Sequence, residues 1–124
     1  MVIDNTKLIL MALWISLMLV YLLGDVLRIF SGSFVAGEID GVPVSDSMWF
    51  ISAVIMVIPI VMIILTLLLP TEVSKWVNIV VAVLFFLFNA AGFIGYKSFD
   101  KFLLVVSFIF NFMTVYYAWM WNNI

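Results

Sequence analysis

The sequence predicts an all-α membrane protein in which four transmembrane helices form an up-down-up-down bundle. Of its 124 residues, 68% are hydrophobic and only 10% are charged, whereas soluble domains carry roughly 25% charged residues. Four apolar runs have the length of about 20 residues that is needed to cross a hydrocarbon core of about 30 Å. The connections leave no room for a second domain, so we expect one domain over residues 1–124.

The four runs place the spans at residues 8–30, 48–69, 76–96 and 102–121. Aromatic side chains that favour the membrane interface lie near several of these ends. They are Trp49, Trp76, Tyr96, Trp119 and Trp121.

Two short connections join the later spans, at residues 70–75 and 97–101. Pro70 ends the second helix, and Thr71 is expected to cap the third. Because short connections force neighbouring helices to run antiparallel, both termini should lie on the same side. The five basic residues divide almost evenly between the two sides, so they do not decide the orientation.

The long connection, residues 31–47, predicts a hairpin-like cap over the bundle. Its segment from Phe34 to Val44 consists of two apolar-rich arms around Asp40-Gly41, a dipeptide suited to a two-residue turn. Pro43 limits the regularity of the second arm.

Several short segments together resemble a family of small four-span bacterial membrane proteins of unknown function. They are Leu13-Trp14, Tyr21 and Asp25; Gly37, Gly41 and Val44-Ser45; Ile58-Pro59-Ile60 and Met62; Trp76, Asn78 and Ile79; and Tyr117-Ala118-Trp119 with Trp121. The resemblance covers essentially the whole chain. It implies a bacterial cytoplasmic membrane with both termini cytoplasmic, because the family has a basic second connection. This chain departs from that pattern, with only Lys75 there and Glu72 beside it.

Each predicted span has one face that is rich in polar or small residues, and we expect these faces to turn inward. In the first span the face comprises Met11, Trp14, Met18, Tyr21, Asp25 and Arg28; in the second, Ser52, Ile55, Pro59, Met62 and Thr66; in the third, Asn78, Ala82, Phe85, Asn89, Gly92 and Tyr96; and in the fourth, Ser107, Asn111, Thr114, Ala118 and Trp121.

An alternating course of the spans gathers one group of polar residues in the half of the bundle nearer the long connection. These candidate ligand-binding residues are Asp25, Arg28, Tyr21, Ser52, Asn89, Ser107 and Asn111. We expect them to form a polar pocket beneath the cap.

Two interpretations of Asp25 stay open at this point. It is either an interfacial carboxylate paired with Arg28 three residues later, or a proton or cation site inside the bundle. For Asn89 and Asn111 the alternatives are interhelical hydrogen bonds and ligand contacts.

The chain contains no Cys and no His, which excludes thiol and imidazole chemistry. No nucleophile stands with a base at a recognisable spacing, so we expect no catalytic residues, no metal, no cofactor and no enzymatic activity. The net charge of −2 without a basic block argues against nucleic acid as a partner.

The remaining function is binding, with the lipid bilayer, other membrane helices or a small lipophilic ligand as partners. A homo-oligomer is compatible with this interpretation. The alternative is a small proton- or cation-coupled transporter that acts as an oligomer, since Asp25 lies in the first span.

Overall fold

The computed structural model describes residues 4–32, 37–39, 42–91 and 98–121. Their elements, in chain order, are α1 (Asn5–Phe30), β1 (Glu38–Ile39), β2 (Val42–Pro43), α2 (Asp46–Leu68), α3 (Thr71–Ala91) and α4 (Ser98–Trp119). All four of these helices are long and apolar enough to cross a membrane. The predicted helical fold class is thus confirmed.

The helix bounds differ from the predicted spans mainly at polar ends. Helix α3 begins at Thr71, where the carbonyl of Pro70 accepts a hydrogen bond from the Ser74 amide at 2.8 Å. Helix α4 begins at Ser98, while the part of it that is apolar enough to span a membrane begins at Lys101, one residue before the predicted start. Hydropathy finds the apolar part of a helix, whereas the helix itself extends into polar sequence. The predicted end of the third span at Tyr96 lies outside the described residues.

Side chains cap the N-terminal ends of α1 and α2. Asp4 Oδ1 accepts a hydrogen bond from the Lys7 amide at 2.9 Å, and Ser45 Oγ accepts one from the Met48 amide at 3.3 Å. Each bond satisfies an amide that has no partner within its own helix. Beyond α1, Gly32 adopts φ +75°, a left-handed conformation that glycine tolerates and that terminates helices.

A two-stranded antiparallel hairpin lies in the long connection. Ile39 pairs with Val42 and Glu38 with Pro43, while the Val44 amide donates to the carbonyl of Gly37 at 2.9 Å. The predicted hairpin is confirmed in its arms, and its turn at Asp40-Gly41 lies outside the described residues. That the hairpin covers the bundle stays a prediction.

Helices α1 and α4 form the centre of the bundle: α1 packs extensively against α2 and α4, and α4 also packs against α3. Helices α2 and α3 contact each other sparsely. Two buried clusters follow this arrangement: one joins Leu10, Leu13, Ala118 and Trp121, and the other joins Trp14, Leu17, Met62 and Ala82. The seam between α2 and α3 is therefore the weakly packed side of the bundle.

The predicted inward faces are confirmed for α3, for α4 and for the second half of α2. The buried residues are Pro59, Met62 and Thr66 of α2; Asn78, Ala82 and Phe85 of α3; Ser107, Asn111, Thr114 and Ala118 of α4; and Trp121, just beyond α4. Gly92 and Tyr96 lie outside the described residues.

Two assignments to the inward faces are wrong. Asp25 and Ser52 are exposed, and the buried face of α1 is formed by Leu10, Leu17 and Gly24 around Trp14. The reason is that α1 lies between two helices and buries leucines, which a search for polar residues overlooks.

Trp121, which was predicted both as an interfacial anchor and as part of the inward face of the fourth span, is buried and packs against Leu10, Leu13 and Ala118. Its indole Nε1 donates to Asp4 Oδ2 at 3.1 Å. The two ends of the described chain are thereby held together.

Candidate functional site

A cavity of about 290 Å³ lies between α1, α2 and α3. Each helix contributes three lining residues: Tyr21, Asp25 and Arg28 from α1; Trp49, Ser52 and Met56 from α2; and Phe85, Phe88 and Asn89 from α3. The cavity occupies the weakly packed seam between α2 and α3. Its volume is close to the lower end of ligand pockets, which begin at roughly 300 Å³.

Five of the seven predicted site residues line this cavity: Tyr21, Asp25, Arg28, Ser52 and Asn89. The Asn89 amide donates to the Tyr21 hydroxyl, which joins α3 to α1. Arg28 Nη1 donates to Asp25 Oδ1 at 2.6 Å, and the Ser52 hydroxyl donates to the carbonyl of Met48 at 3.0 Å. The cavity thus contains an ion pair, an amide–phenol pair and a hydroxyl.

Aromatic rings form the remaining wall of the cavity. The Phe85 ring lies 6.4 Å from the Tyr21 ring and 6.3 Å from the Phe88 ring, measured between centroids. Trp49, which was predicted only as an interfacial anchor, also lines the space. Sequence reasoning missed the aromatic character of this site, although Phe85 lies on the predicted inner face of its span.

Ser107 and Asn111, the other two predicted site residues, lie outside this cavity. The Ser107 hydroxyl donates to the carbonyl of Leu104 at 2.7 Å and lines a separate space of about 20 Å³ between α1 and α4. Asn111 lines an apolar cavity of about 120 Å³ between α3 and α4. Both residues are buried because α4 turns its polar face inward against its neighbours.

Asn111 is the one buried side chain of the described residues whose amide nitrogen and oxygen both have no hydrogen-bond partner. The side chain of Tyr21 is a neighbour of this amide. An unpaired buried amide costs about 1 to 3 kcal/mol relative to a paired one. Asn111 is therefore a buried amide whose hydrogen-bonding capacity is not used among the described residues.

A second polar cluster is centred on Asn78 and is fully buried, and its members Trp14, Thr66 and Asn78 were all predicted to lie on inward faces. Asn78 Oδ1 accepts hydrogen bonds from Trp14 Nε1 at 2.6 Å and from the Thr66 hydroxyl at 3.4 Å. Asn78 Nδ2 donates to the carbonyl of Ser74 at 2.8 Å, and the Ser74 hydroxyl donates to the carbonyl of Thr66 at 3.3 Å. These bonds tie α1, α2 and α3 together at the end of the seam opposite the cavity.

Lys7 closes the same end of the bundle. Only 5% of the residue is exposed, and its Nζ donates to the carbonyls of Leu67 and Leu69 at 3.2 and 3.4 Å. The last carbonyls of a helix have no partner within that helix. Lys7 of α1 thus caps the C-terminal end of α2.

In the part of the chain that the structure describes, no three acidic side chains come together as candidate metal ligands.

A family model described as a family of unknown function (DUF6326) matches residues 2–123 of the chain. No curated protein and no solved structure matches it.

Proposed function

Because the chain belongs to this family of unknown function, we propose its role from geometry: a non-enzymatic membrane bundle that binds a small lipophilic molecule between α1, α2 and α3. The membrane is that of a bacterial cell, the helices cross it in alternating directions, and both termini are cytoplasmic. The cavity with its mixed aromatic and polar lining is the observation on which this proposal rests.

The distribution of apolar side chains supports insertion into a bilayer. Large apolar residues are exposed along all four helices, among them Phe30 at 82% and Phe50 at 70%. In water this surface would be unfavourable by about 25 cal/mol for each Å². At the end of the bundle near the termini, Lys75 Nζ lies 5.5 Å from the centroids of both the Trp76 and Trp119 rings, a combination typical of the headgroup region.

We expect reporter fusions to Met1 and Ile124 to give cytoplasmic signals for both ends. The hydrogen bond between Asp4 and Trp121 joins the two ends of the described part of the chain and supports a common side for the termini, and the family resemblance favours the cytoplasm. The test compares a cytoplasm-active with a periplasm-active reporter at each end. Signals from opposite sides would reject the four-span topology. Mixed signals at each end would reject a single orientation and support the transporter alternative.

The chemistry of the cavity lining supports a small amphiphilic ligand. An apolar pocket with a few convergent polar groups is the usual form of a small-molecule site. Here Phe85, Phe88 and Met56 supply apolar surface, and the Tyr21–Asn89 pair supplies a hydroxyl and an amide. An engineered cavity of about 150 Å³ already takes up benzene, so this volume is sufficient for a substituted aromatic molecule.

The seam between α2 and α3 supports entry from the side rather than from water. The two helices are hydrogen-bonded through Thr66, Ser74 and Asn78, at the end away from the cavity. At the cavity end Phe88 is 58% exposed, and Ser52 is also exposed. A molecule dissolved among the acyl chains would meet this opening directly.

We favour binding over proton- or cation-coupled transport because of where Asp25 lies. It is paired with Arg28 and lies near the C-terminal end of α1, whereas substrate sites of transporters usually lie near the bilayer midplane.

Replacing Ser52 by phenylalanine is expected to abolish saturable binding of a neutral lipophilic fluorophore, 1-aminoanthracene. The new ring would occupy the cavity without disturbing the buried core, since Ser52 is exposed and bonded only to its own helix. Binding is measured by fluorescence titration of the protein in nanodiscs, with protein-free nanodiscs as the background.

Ala53→Phe is the matched control, because Ala53 is also exposed but does not line the cavity. It should retain the affinity of the parent protein. Absence of saturable binding to the parent, or equal binding to the parent and Ser52→Phe, would refute the proposed function.

A further inference from the structure

We infer that the cavity selects a hydrophobic organic cation, a quaternary ammonium group joined to an apolar body. This inference rests on the proposed binding function and specifies its ligand class. It follows from the accessibility of one carboxylate and from the aromatic rings that surround the same space.

The carboxylate of Asp25 is the more accessible half of its ion pair. The Asp25 side chain is 63% exposed, compared with 32% for Arg28. Arg28 Nη1 bonds Oδ1, so Oδ2 is the second oxygen of a largely exposed carboxylate. Arg28 Nη2 lies against α1, only 3.4 Å from where a Cβ at Gly24 would be. The pair thus presents a carboxylate oxygen to an incoming molecule while the guanidinium packs against the helix.

The aromatic rings that line the cavity also favour a cation. The face of an aromatic ring is electrostatically negative and attracts a cation within about 6 Å of its centroid. Trp49 and Phe88 line the cavity with Asp25, and Phe85 continues the wall from Phe88 to Tyr21. An ammonium group there would contact both a carboxylate and ring faces.

Anions and inorganic cations fit this lining less well. An anion would have to compete with Asp25 for Arg28 and would meet the negative faces of the rings. A metal ion requires several oxygen ligands, whereas the cavity offers one carboxylate and is largely apolar. A quaternary ammonium ion is weakly hydrated and loses little on entering such a space.

The test compares benzyltrimethylammonium with neopentylbenzene, its neutral isostere in which carbon replaces the charged nitrogen. Affinities are measured by displacement of 1-aminoanthracene from the protein in nanodiscs, corrected for partition into protein-free nanodiscs. We expect the cation to bind about tenfold more tightly than the isostere. Benzenesulfonate, an anion of similar size, should bind most weakly.

Three variants locate the effect. Asp25→Asn should weaken binding of the cation by about tenfold and leave that of neopentylbenzene unchanged. Phe88→Leu should weaken binding of the cation more than that of the isostere. Asp46→Asn removes an exposed carboxylate that does not line the cavity and should change neither affinity.

The failure of this inference is distinguishable from that of the proposed function. Equal affinities for the cation and its isostere, both lost in Ser52→Phe, would leave the binding site intact and reject the cation class. Tighter binding of benzenesulfonate than of the cation, or unchanged binding of the cation to Asp25→Asn, would also reject that class. No displacement by any of the probes, from a parent protein that still binds 1-aminoanthracene saturably, would reject the cation class and leave the proposed function standing.

Discussion

Replacing Asn78 by leucine is expected to lower the free energy of unfolding by about 2 to 3 kcal/mol. Leucine branches at the same γ carbon as asparagine but is larger, so at this fully buried position the loss of hydrogen bonds is joined by some crowding. Trp14 Nε1 would lose its acceptor while only 1% of Trp14 is exposed, and Thr66 would lose the bond that links α2 to α3. A buried donor without an acceptor retains its full desolvation cost.

Asn111→Leu is the matched control, and the expected effect has the opposite sign. Only 2% of Asn111 is exposed, and neither atom of its side-chain amide has a hydrogen-bond partner among the described residues. The same substitution therefore removes an unsatisfied group and should raise the free energy of unfolding by about 1 kcal/mol.

Both variants can be measured by unfolding in mixed micelles with increasing dodecyl sulfate, followed by far-ultraviolet circular dichroism. Equal losses in the free energy of unfolding for the two substitutions would mean that the two buried asparagines contribute equally to stability. That result would contradict the distinction between a satisfied and an unsatisfied amide. Loss of stability in Asn111→Leu alone would show that Asn111 has a partner, and the adjacent Tyr21 hydroxyl would be the first candidate.

The helices were predictable because their physical cause is local. A run of apolar residues that can cross a bilayer must satisfy its backbone hydrogen bonds internally, so hydropathy alone indicates helices. The Asp40-Gly41 dipeptide similarly indicated the hairpin whose arms pair as Glu38 with Pro43 and Ile39 with Val42. The starts of α3 and α4 were less predictable because Thr71 and Ser98 are polar residues that join a helix without adding hydropathy.

The site was predictable only in part because it depends on which helices are neighbours. Depth along the spans groups Tyr21, Asp25 and Asn89, which line one cavity. Depth cannot distinguish the α2–α3 seam from the α3–α4 interface, so it also includes Asn111, which lines a different cavity. The aromatic wall was missed for another reason: in a chain with 17% aromatic residues, Phe88 has no distinctive spacing.

The Asn78 cluster shows the same limit. Trp14, Thr66 and Asn78 were each placed on inward faces, but their hydrogen bonds depend on the rotation of three helices. The spacing of residues along the chain does not determine how each helix is rotated against its neighbours. The Leu67 and Leu69 carbonyls that bind Lys7 lie on another helix and are backbone atoms, so no side-chain pattern could reveal them.

Replacing Lys7 by methionine is expected to lower the free energy of unfolding by about 2 kcal/mol. Methionine keeps the apolar stem of lysine, so its packing at this buried position is retained. What is lost is the ammonium group that bonds the Leu67 and Leu69 carbonyls. Helix α2 has no basic residue in its own last turn, so these carbonyls and the negative end of the helix dipole would lose their charged partner.

Two opposing terms decide the sign of the Lys7 effect. Burial of an ammonium group is costly, and its removal would by itself stabilise the protein. We expect the two carbonyl bonds and the interaction with the helix end to outweigh this cost. Lys7→Met would then be destabilised in the mixed-micelle titration. Lys101→Met is the control, because Lys101 is exposed on α4 and its replacement should change the stability little. A Lys7→Met variant as stable as the parent would show that desolvation cancels the capping, and α2 would then be held at this end mainly by Thr66 and Asn78.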